Sequence, residues 1–376
     1  MRIFYLTTAQ DNDSFKNNLS KWKVSPNLSN QNFHNKLIRS IALTHDVEAI
    51  SIRPINSNFS EKIMQKASKI ENKVKWNYIK VSSNRIDKLL FTNKRIDELS
   101  RSITSDDVLF VDTLNLTLLK QAKRIVKKRK CKLINICTDN PFNISFISDS
   151  YKENLLSLGK EANSFVALTQ KINELYNPDN KPSIIIDGVT ESNDFGPFDF
   201  KIDKPYIFFG GSLMRKYGVY NLIEAFNNLK NIDIELIVCG HHEEADLKDN
   251  IKDKNIKYLG ALSYEEVNYL EKHALCAVNP RPIDPVIDEY SIPSKTLEYL
   301  ANGVLTITVK NDLLMERYGK AILWSNSGEV KDLEAALKQA LNMSEKEREQ
   351  LISNALSSIQ RYASLESVNA EISKLL

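Results

Sequence analysis

Short β-branched runs alternate with helical patterns along almost the whole chain, and few folds accommodate that rhythm. In the first half, "RIFYLT" (2–7), "VEAISI" (47–52), "WNYIKV" (76–81), "DVLFVD" (107–112), "KLINICT" (132–138), "SFVALT" (164–169) and "SIIID" (183–187) read as strands. Helical patterns such as Gln31–Leu43, Arg85–Ser100 and Leu116–Arg129 fall between several of them. Strands separated by helices cannot pair as tight hairpins, so the chain must cross back and build a parallel sheet with helices on its faces.

The rhythm breaks once, at "DGVTESNDFGPFDFKIDKP" (187–205), a stretch rich in Gly, Pro and Asp that reads as a linker. It then restarts with strands "YIFFG" (206–210), "IELIVCG" (234–240), "IKYLG" (256–260), "LCAVNP" (275–280), "LTITV" (305–309) and "AILW" (321–324). Helices are expected at Val219–Leu229, around Ala245–Ile251, at Tyr264–Lys272 and from about Pro293. At 376 residues the chain exceeds one core of ordinary size. The expected fold is therefore α/β: two Rossmann-like, doubly wound domains, 1–190 and 206–359, joined by a linker at 191–205 and facing each other across a cleft. The tail from Glu329 is helical, and its end (360–376, above all Leu365–Leu376) is expected to pack back on the first domain. Ligands of such sheets bind at the carboxyl edges of the strands.

Composition narrows the setting. No run approaches the roughly 20 apolar residues of a membrane span, and the first ten residues turn polar too soon for a signal peptide. Cys131, Cys137, Cys239 and Cys276 form no CxxC pair and lie in or beside apolar runs, as reduced core thiols do. A cytoplasmic location is expected, and no metal site. Met1–Thr190 carries 30 Lys and Arg against 19 Asp and Glu, whereas the remainder carries 21 against 29. The basic half is suited to an anionic partner. Much of the surplus lies in "LLKQAKRIVKKRKCK" (118–132), whose cations run from Lys120 to Lys132 and where Leu118, Ala122, Ile125 and Val126 form one apolar stripe. That segment is either a helix with a solvated basic face or a peripheral contact with anionic lipid at the inner face of the plasma membrane. Aromatics are not interleaved with the charges, so nucleic acid is not expected.

Two stretches of the second domain carry chemistry. In "FFGGSLMRKYGVYNLIEAF" a strand ends at Gly210-Gly211, Ser212 follows, and a loop bearing Arg215 and Lys216 leads into a helix. Paired glycines let backbone approach a ligand, and a helix start favours an anion; such turns are also common as structure alone. In "YSIPSKTLEYLANG" Pro293 suits a helix start, Ser291 or Ser294 can cap it, and Gly303 ends it. Lys295 then stands in the first turn, where a cation is unfavourable, and Glu298 follows it in the weaker order. With Arg281 of "NPRP", these cations are expected to meet two helix starts at one sheet edge, an arrangement suited to a diphosphate. The alternative is a solvated Lys295 and a loop-capping Arg281. His241 and His242 end another strand without a second ligand cluster, and His34, His45 and His273 read as ordinary helical residues.

Together with "IKYLGALSYEEVNYLEKHALCAVNPRP", these stretches resemble the donor domain of GT-B-fold glycosyltransferases. More narrowly they are similar to glycosyltransferase family 4, the retaining group 1 enzymes of bacterial polysaccharide synthesis. The resemblance is specific over Tyr206–Gly303 and covers the first domain only in element order. It implies that Glu298 binds the donor ribose, Lys295 the phosphates, and Gly210-Gly211 the diphosphate from below, with Gly260 and Ala261 near the base. Ser212 and Tyr217 stand where many members have Arg and Lys; Arg215 and Lys216 are candidates to supply that charge. Tyr290 stands where members often have a Glu that meets the transferred sugar. Ser29, Asn30, Gln31 and Asn32 replace the usual glycine pair of the first domain, as an acceptor-binding helix start or simply as caps. Asp139 in "CTDNPF" lies near the usual cleft histidine and is either an acceptor or sugar contact or part of a turn. Implied is metal-independent transfer of a hexosyl unit from a nucleotide sugar to a saccharide or lipid-linked acceptor, in cell-surface or exopolysaccharide assembly. The rival readings are a sugar-nucleotide epimerase and a non-catalytic partner of an active transferase.

Overall fold

The computed structural model describes residues 1–22, 27–55, 59–145, 147–230, 232–241, 246–247, 251 and 253–376, with side chains except at 85 and 88–90. His242 and most of the helix expected around Ala245–Ile251 lie outside the described residues. The chain divides into two compact units, Met1–Val189 with Leu365–Leu376, and Thr190–Ser364.

The first unit holds β1 (Ile3–Thr7), β2 (Val47–Ser51), β3 (Ile63–Met64), β4 (Ala67–Glu71), β5 (Val74–Tyr78), β6 (Val81–Ser82), β7 (Val108–Asp112), β8 (Lys132–Cys137), β9 (Ser164–Ala167) and β10 (Ser183–Ile185). Eight of them form one sheet in the order β10-β9-β8-β7-β1-β2-β5-β4, parallel throughout except for the β4–β5 edge pair. Every residue of β1 is buried, because both faces of the sheet are covered. Ile3 and Tyr5 pack with Leu37, Ile38 and Ile41, while Phe4 and Leu6 pack with Leu118, Ala122 and Ile125 on the other face. Each such side chain contributes roughly 1.5–3 kcal/mol on burial.

Helix Leu365–Ser373 belongs to this unit. Val368, Ile372 and Leu375 enter the core against Leu37, Ile38 and Ile41. Ser40 Oγ donates to the Leu365 carbonyl (2.6 Å) and Lys132 Nζ to that of Leu375 (2.6 Å).

Two local features depart from the sequence reading. The expected strand at 76–81 is divided, since β5 ends at Tyr78 and Val81–Ser82 pairs with β3 in a separate two-stranded sheet. The antiparallel partner of β5 is β4, joined to it through Asn72 and Lys73, both at positive φ (49° and 63°) as a two-residue hairpin of right-handed twist requires. The first long helix runs Leu28–Ile41, beginning before Gln31, because Asn27 rather than Ser29 or Asn30 accepts the capping bond, from the Asn30 amide (3.0 Å). Helix Leu116–Arg129 buries Leu118, Ala122 and Ile125 as expected. Several of its cations are engaged: Lys123 with Glu161 and both Arg124 and Lys128 with Asp97 (2.7 Å each).

The second unit holds β11 (Tyr206–Ser212), β12 (Glu235–His241), β13 (Ile256–Tyr258), β14 (Cys276–Asn279), β15 (Thr306–Val309) and β16 (Leu323–Ser325), all parallel in the order β13-β12-β11-β14-β15-β16. Residues 191–205 carry no helix or strand. Their Phe195 packs edge-on against Tyr264, and Phe198 against Tyr269. Among the described residues no helix is long and apolar enough to cross a membrane.

The turn after β1 is fixed by charge. Asp11 caps helix Asn12–Leu19 by accepting from the Ser14 amide (2.9 Å), and it also accepts from the Tyr78 hydroxyl and from Lys69 Nζ (2.8 Å). Lys69 reaches Asp13 and Glu71 as well (2.7 Å each), so its ammonium stands among the three carboxylates that are grouped closely enough to hold a metal ion. Burial raises the Asp11 carboxyl, but hydrogen bonds from Lys69, Ser14 and Tyr78 outweigh it and leave the group at about 2. A depressed carboxyl stabilises the fold above its unfolded value near 4, and that contribution disappears as pH falls through about 2. Lys69 is a third exposed, so solvent limits the contribution to about 1 kcal/mol. Asp11→Asn is expected to lower the urea-unfolding free energy by about that amount at pH 7. The difference from the native chain is expected to shrink as pH is lowered from 4 toward 2.

Candidate functional site

Strand order places a crevice in each sheet. From β11 the chain proceeds outward to β12 and β13, then returns to β14 on the other side. The connections at the carboxyl ends of β11 and β14 therefore diverge and leave an opening there. In the first unit the same divergence falls between β1 and β7.

At the second-unit opening the backbone is bare. A Cβ on Gly211 would collide with the Lys295 ammonium, and one on Gly240 would collide with the Gly211 carbonyl. The Gly240 amide donates to the Gly260 carbonyl (2.8 Å). Glycines 211, 240 and 260 thus form a continuous row across the ends of β11, β12 and the segment after β13, with exposed Ala261 beside it. Ser212 continues β11 opposite His241, and its hydroxyl is buried with no hydrogen-bond partner among the described residues.

Among the described residues, the helices Val219–Asn227 after Gly218, Ser294–Ala301 after Pro293, and Val330–Asn342 after Glu329 begin without a side-chain cap. All three starts lie by β14 or the loop that follows it. Gly218 takes φ +80° and packs on the Pro280 carbonyl, Asn279 Nδ2 donates to Thr296 Oγ1 (3.0 Å), and Gly328 lies 3.0 Å from Pro280 and Pro282 by the position of an added Cβ. The expected cap from Ser291 or Ser294 is not made. Pro293 takes the cap position and has no donor or acceptor side chain to offer, and Ser294 is exposed in the first turn. The first amides of these helices present partial positive charge toward the opening.

Lys295 is the cation delivered to this edge. Its ammonium donates to the Gly210 carbonyl and lies 5.9 Å from the centre of the Phe209 ring. Burial pulls it below the ordinary lysine value, against Glu298 one turn on, Glu271 and Cys239. The Cys239 thiol beneath it is pushed up to about 12 by burial, which leaves it an inert core group.

The other expected cations are engaged elsewhere. Arg215 pairs with Asp246 and stacks on the Tyr220 ring (3.9 Å), and Tyr220 donates to the same Asp246 (2.8 Å). Lys216 is exposed over the Tyr217 ring (5.2 Å). Arg281 pairs with Asp288 (2.7 Å) and, with Asn279, Pro293, Thr308 and Lys310, lines a cavity beside the Ser294 helix start. Tyr290 closes a turn with its amide on the Ile287 carbonyl (2.9 Å). Asp246 and Asp288 lie 31 and 7 residues from the cations they hold, and the charge-by-charge reading of the sequence missed both.

At the first-unit opening, side chains converge instead. Asp112, at the end of β7, accepts from the Leu114 amide (2.9 Å) and from Asn30 Nδ2 (3.2 Å), and lies 3.5 Å from His34 Nε2. His34 Nδ1 meets the Tyr5 hydroxyl (2.7 Å), and Thr8 Oγ1 donates to Asn30 Oδ1 (3.4 Å). Burial raises the Asp112 carboxyl, but His34, the Leu114 amide and Asn30 outweigh it and hold it below the ordinary value. His34 is therefore no ordinary helical residue: it stands 1% exposed between two polar partners. Of the four expected acceptor residues only Asn30 joins this group. Gln31 is committed to Gln10, accepting from its amide (2.9 Å) and donating to its carbonyl (2.8 Å). Ser29 and Asn32 lie on the outer side of the helix start, and Asp139 caps its own loop through the Asn140 amide (2.7 Å).

Residues 191–357 match the family described as glycosyl transferases group 1. The second unit is a group 1 glycosyltransferase domain. Across the whole chain the fold is similar to sucrose-phosphate synthase from Thermosynechococcus elongatus (TM-score 0.69, 10% identity, 100% of this chain and 98% of that one). It is equally similar to E. coli trehalose-6-phosphate synthase bound with UDP-2-fluoro glucose (0.70, 12%, 99% and 98%). A third likeness is to Anabaena Alr3699/HepE in complex with UDP (0.66, 13%, 100% and 99%). No curated protein sequence matches the chain. At such identities the likeness is one of fold, and the fold is GT-B, as the motif resemblance implied; the group 1 match marks the second unit as a glycosyltransferase domain.

In this chain the Gly-Gly turn and the Lys295 helix do meet, while Asp112 and Gly240 went unread and His34 was read as an ordinary helical residue. Each had a signal. "VLFVD" ends in an acid at a carboxyl strand end, His34 follows Asn30 by one helical turn, and "IVCG" ends a second strand in glycine. The glycine row also yields a graded test. Gly240→Ala sets a methyl group against backbone and is expected to cost roughly 2–4 kcal/mol. Gly260→Ala meets open space at φ +70° and should cost only about 1 kcal/mol. Thermal melting should therefore show a drop for Gly240→Ala at least twice that for Gly260→Ala.

Proposed function

We propose that the chain moves a hexosyl unit from a nucleotide sugar to a saccharide or lipid-linked acceptor in cell-surface or extracellular polysaccharide assembly. The observation that carries the donor half is the Lys295 ammonium held under the Gly210–Gly211 turn, where only a glycine leaves room for it. In this reading the diphosphate lies on the glycine row and the open helix starts, Glu298 binds the ribose, and Gly260 and Ala261 border the base. Arg281, Tyr290, Ser294 and Asp288 border the transferred sugar. Arg215 and Lys216 play a secondary part, since Arg215 is engaged by Asp246. The first unit takes the acceptor at Asn30 and Asp112, with Ser29, Asn32 and Asp139 at its margin.

The chemistry follows from charge. The bond between the sugar anomeric carbon and the diphosphate oxygen breaks, and the nucleoside diphosphate leaves with the electron pair. The acceptor oxygen bonds to that carbon and gives up its proton to the departing diphosphate oxygen. Negative charge grows on the departing oxygen, and fixed donors aimed at it lower the barrier. Lys295 and the helix amides supply such donors without a metal, and family resemblance implies retention at the anomeric carbon.

UDP sugars are the first donors to test, because two proteins of the same fold hold UDP or UDP-2-fluoro glucose. In a thermal-shift panel of UDP-, GDP-, ADP- and CMP-sugars, one class at about 100 times its Kd should stabilise the protein by roughly 2.7 kcal/mol. Lys295→Met is expected to weaken that ligand roughly 10- to 100-fold, as loss of a charge-assisted bond does. Transfer should persist in EDTA. A panel in which no nucleotide sugar shifts the melt would end this reading.

The exposed lysines of helix Leu116–Arg129 and its end, Lys120, Lys127 and Lys130, support contact with an anionic membrane surface, each worth about 1 kcal/mol at low salt. Sedimentation with phosphatidylserine vesicles should be lost when all three become Gln.

A further inference from the structure

A buried acid lies close to the Lys295 helix and has no part in the transfer chemistry above. Glu271 stands in the last turn of helix Tyr264–Lys272 and is 4% exposed. Its Oε2 accepts from Asn302 Nδ2 (2.9 Å), and Asn302 Oδ1 accepts from Asn268 Nδ2 (3.2 Å), all three residues being buried. Asn302 is the C-cap of helix Ser294–Ala301, whose first turn carries Lys295. The carboxylate therefore grips the far end of the helix that presents the cation. Its field also reaches Lys295 itself, Tyr299, whose hydroxyl accepts from the Gly210 amide (3.5 Å), and Cys239 of β12. The other charges facing this group are Glu298 on the helix of Lys295 and Glu266 on that of Glu271.

A carboxylate this deeply buried is costly unless a positive charge answers it. A lysine in the same region reverts to the neutral amine unless a negative charge answers it. Glu298 and Glu271 both favour the charged form of Lys295, and Glu271 is the one of the two that is anchored to the far end of its helix. A neutral amine could not offset a diphosphate, so the acid sets how much of the protein is ready for an anionic ligand.

We infer that Glu271 is a positioning residue for the donor: through Asn302 and through its own charge it keeps the Lys295 ammonium under the Gly210–Gly211 turn, where a diphosphate oxygen can replace the Gly210 carbonyl. The inference rests on the donor-site reading proposed above, and the test separates the two.

The first measurement needs no donor. Competitive acetylation of lysines across pH, resolved by mass spectrometry, gives the titration midpoint of Lys295 in the full-length protein. Glu271→Gln keeps the shape and an acceptor for Asn302 but removes the charge, and is expected to move that midpoint down by about one pH unit. Glu271→Asp keeps the charge at a shifted position and should move it in the same direction by less. The second measurement is calorimetric binding of inorganic pyrophosphate. Glu271→Gln should weaken it several-fold at pH 8 and by less at pH 6, where more of the lysine is protonated. A bystander acid would do the reverse, since losing a negative charge tightens anion binding at both pH values. An unchanged Lys295 midpoint, or tighter pyrophosphate binding at pH 8, would overturn the inference; if Glu271→Gln does not fold, Glu271→Asp with an unmoved midpoint does so alone. Pyrophosphate that fails to bind the native protein would instead remove the donor-site reading, with the acetylation midpoint still deciding whether Glu271 governs Lys295.

Discussion

The contact between the Lys295 ammonium and the Gly210 carbonyl organises the second unit's carboxyl edge. A cation in the first turn of a helix works against the dipole by roughly 0.3–1 kcal/mol, and burial adds to that. The carbonyl, Glu298 and Glu271 offset the penalty. For the contact to exist, Gly211 must have no side chain, and for Gly211 to keep its path, Gly240 must have none either. One misplaced charge thus fixes residue choice on two neighbouring strands and on a helix 85 residues away in sequence.

What the sequence made legible was whatever depends on local pattern. Strands covered on both faces read as continuous apolar runs, and β1, β2, β7, β8 and β9 all fall within the expected segments. Helix Tyr264–Lys272 has the bounds expected of it, because Ser263 and Glu266 form a reciprocal cap at its start. The hairpin at Asn72-Lys73 was hidden because lysine seldom takes a positive φ, and nothing in "ENKV" marks it. The cations showed the opposite limit. Their places at one strand edge followed from the pattern, but which carboxylate holds each is a tertiary fact, and Asp246 and Asp288 took two of the charges meant for the ligand.

The two openings use the same topology for different chemistry. In the second unit glycines 211, 240 and 260 leave the strand ends largely bare, so backbone and one ammonium line the opening. That surface suits an oxygen-rich diphosphate, whose charge is large and whose contacts are with backbone donors. In the first unit Thr8, Asn30, His34 and Asp112 gather, a mixed set of donors and acceptors. Such a set suits hydroxyl groups, which both give and take hydrogen bonds. His34 stands between Tyr5 and Asp112, its Nε2 3.5 Å from the carboxylate, while Asn30 donates a hydrogen bond to it.

Among the described residues, helix starts without a side-chain cap are distributed unevenly, and they gather near the carboxyl edge of the second sheet. Helices remote from β14 are capped by side chains, including Asn84, Asn115, Ser148, Thr169 and Ser344. The three uncapped starts crowd around β14 and its following loop, beside a buried Ser212 hydroxyl and a partly desolvated lysine. Each such defect costs about 1 kcal/mol or more in an isolated fold. A chain that caps its helices elsewhere has the residues to cap these, so their concentration at one sheet edge is a local conflict with folding of the kind functional sites carry. An anion resting on the glycine row would satisfy the amides, the hydroxyl and the ammonium together, offsetting at one stroke the cost of leaving each of them open.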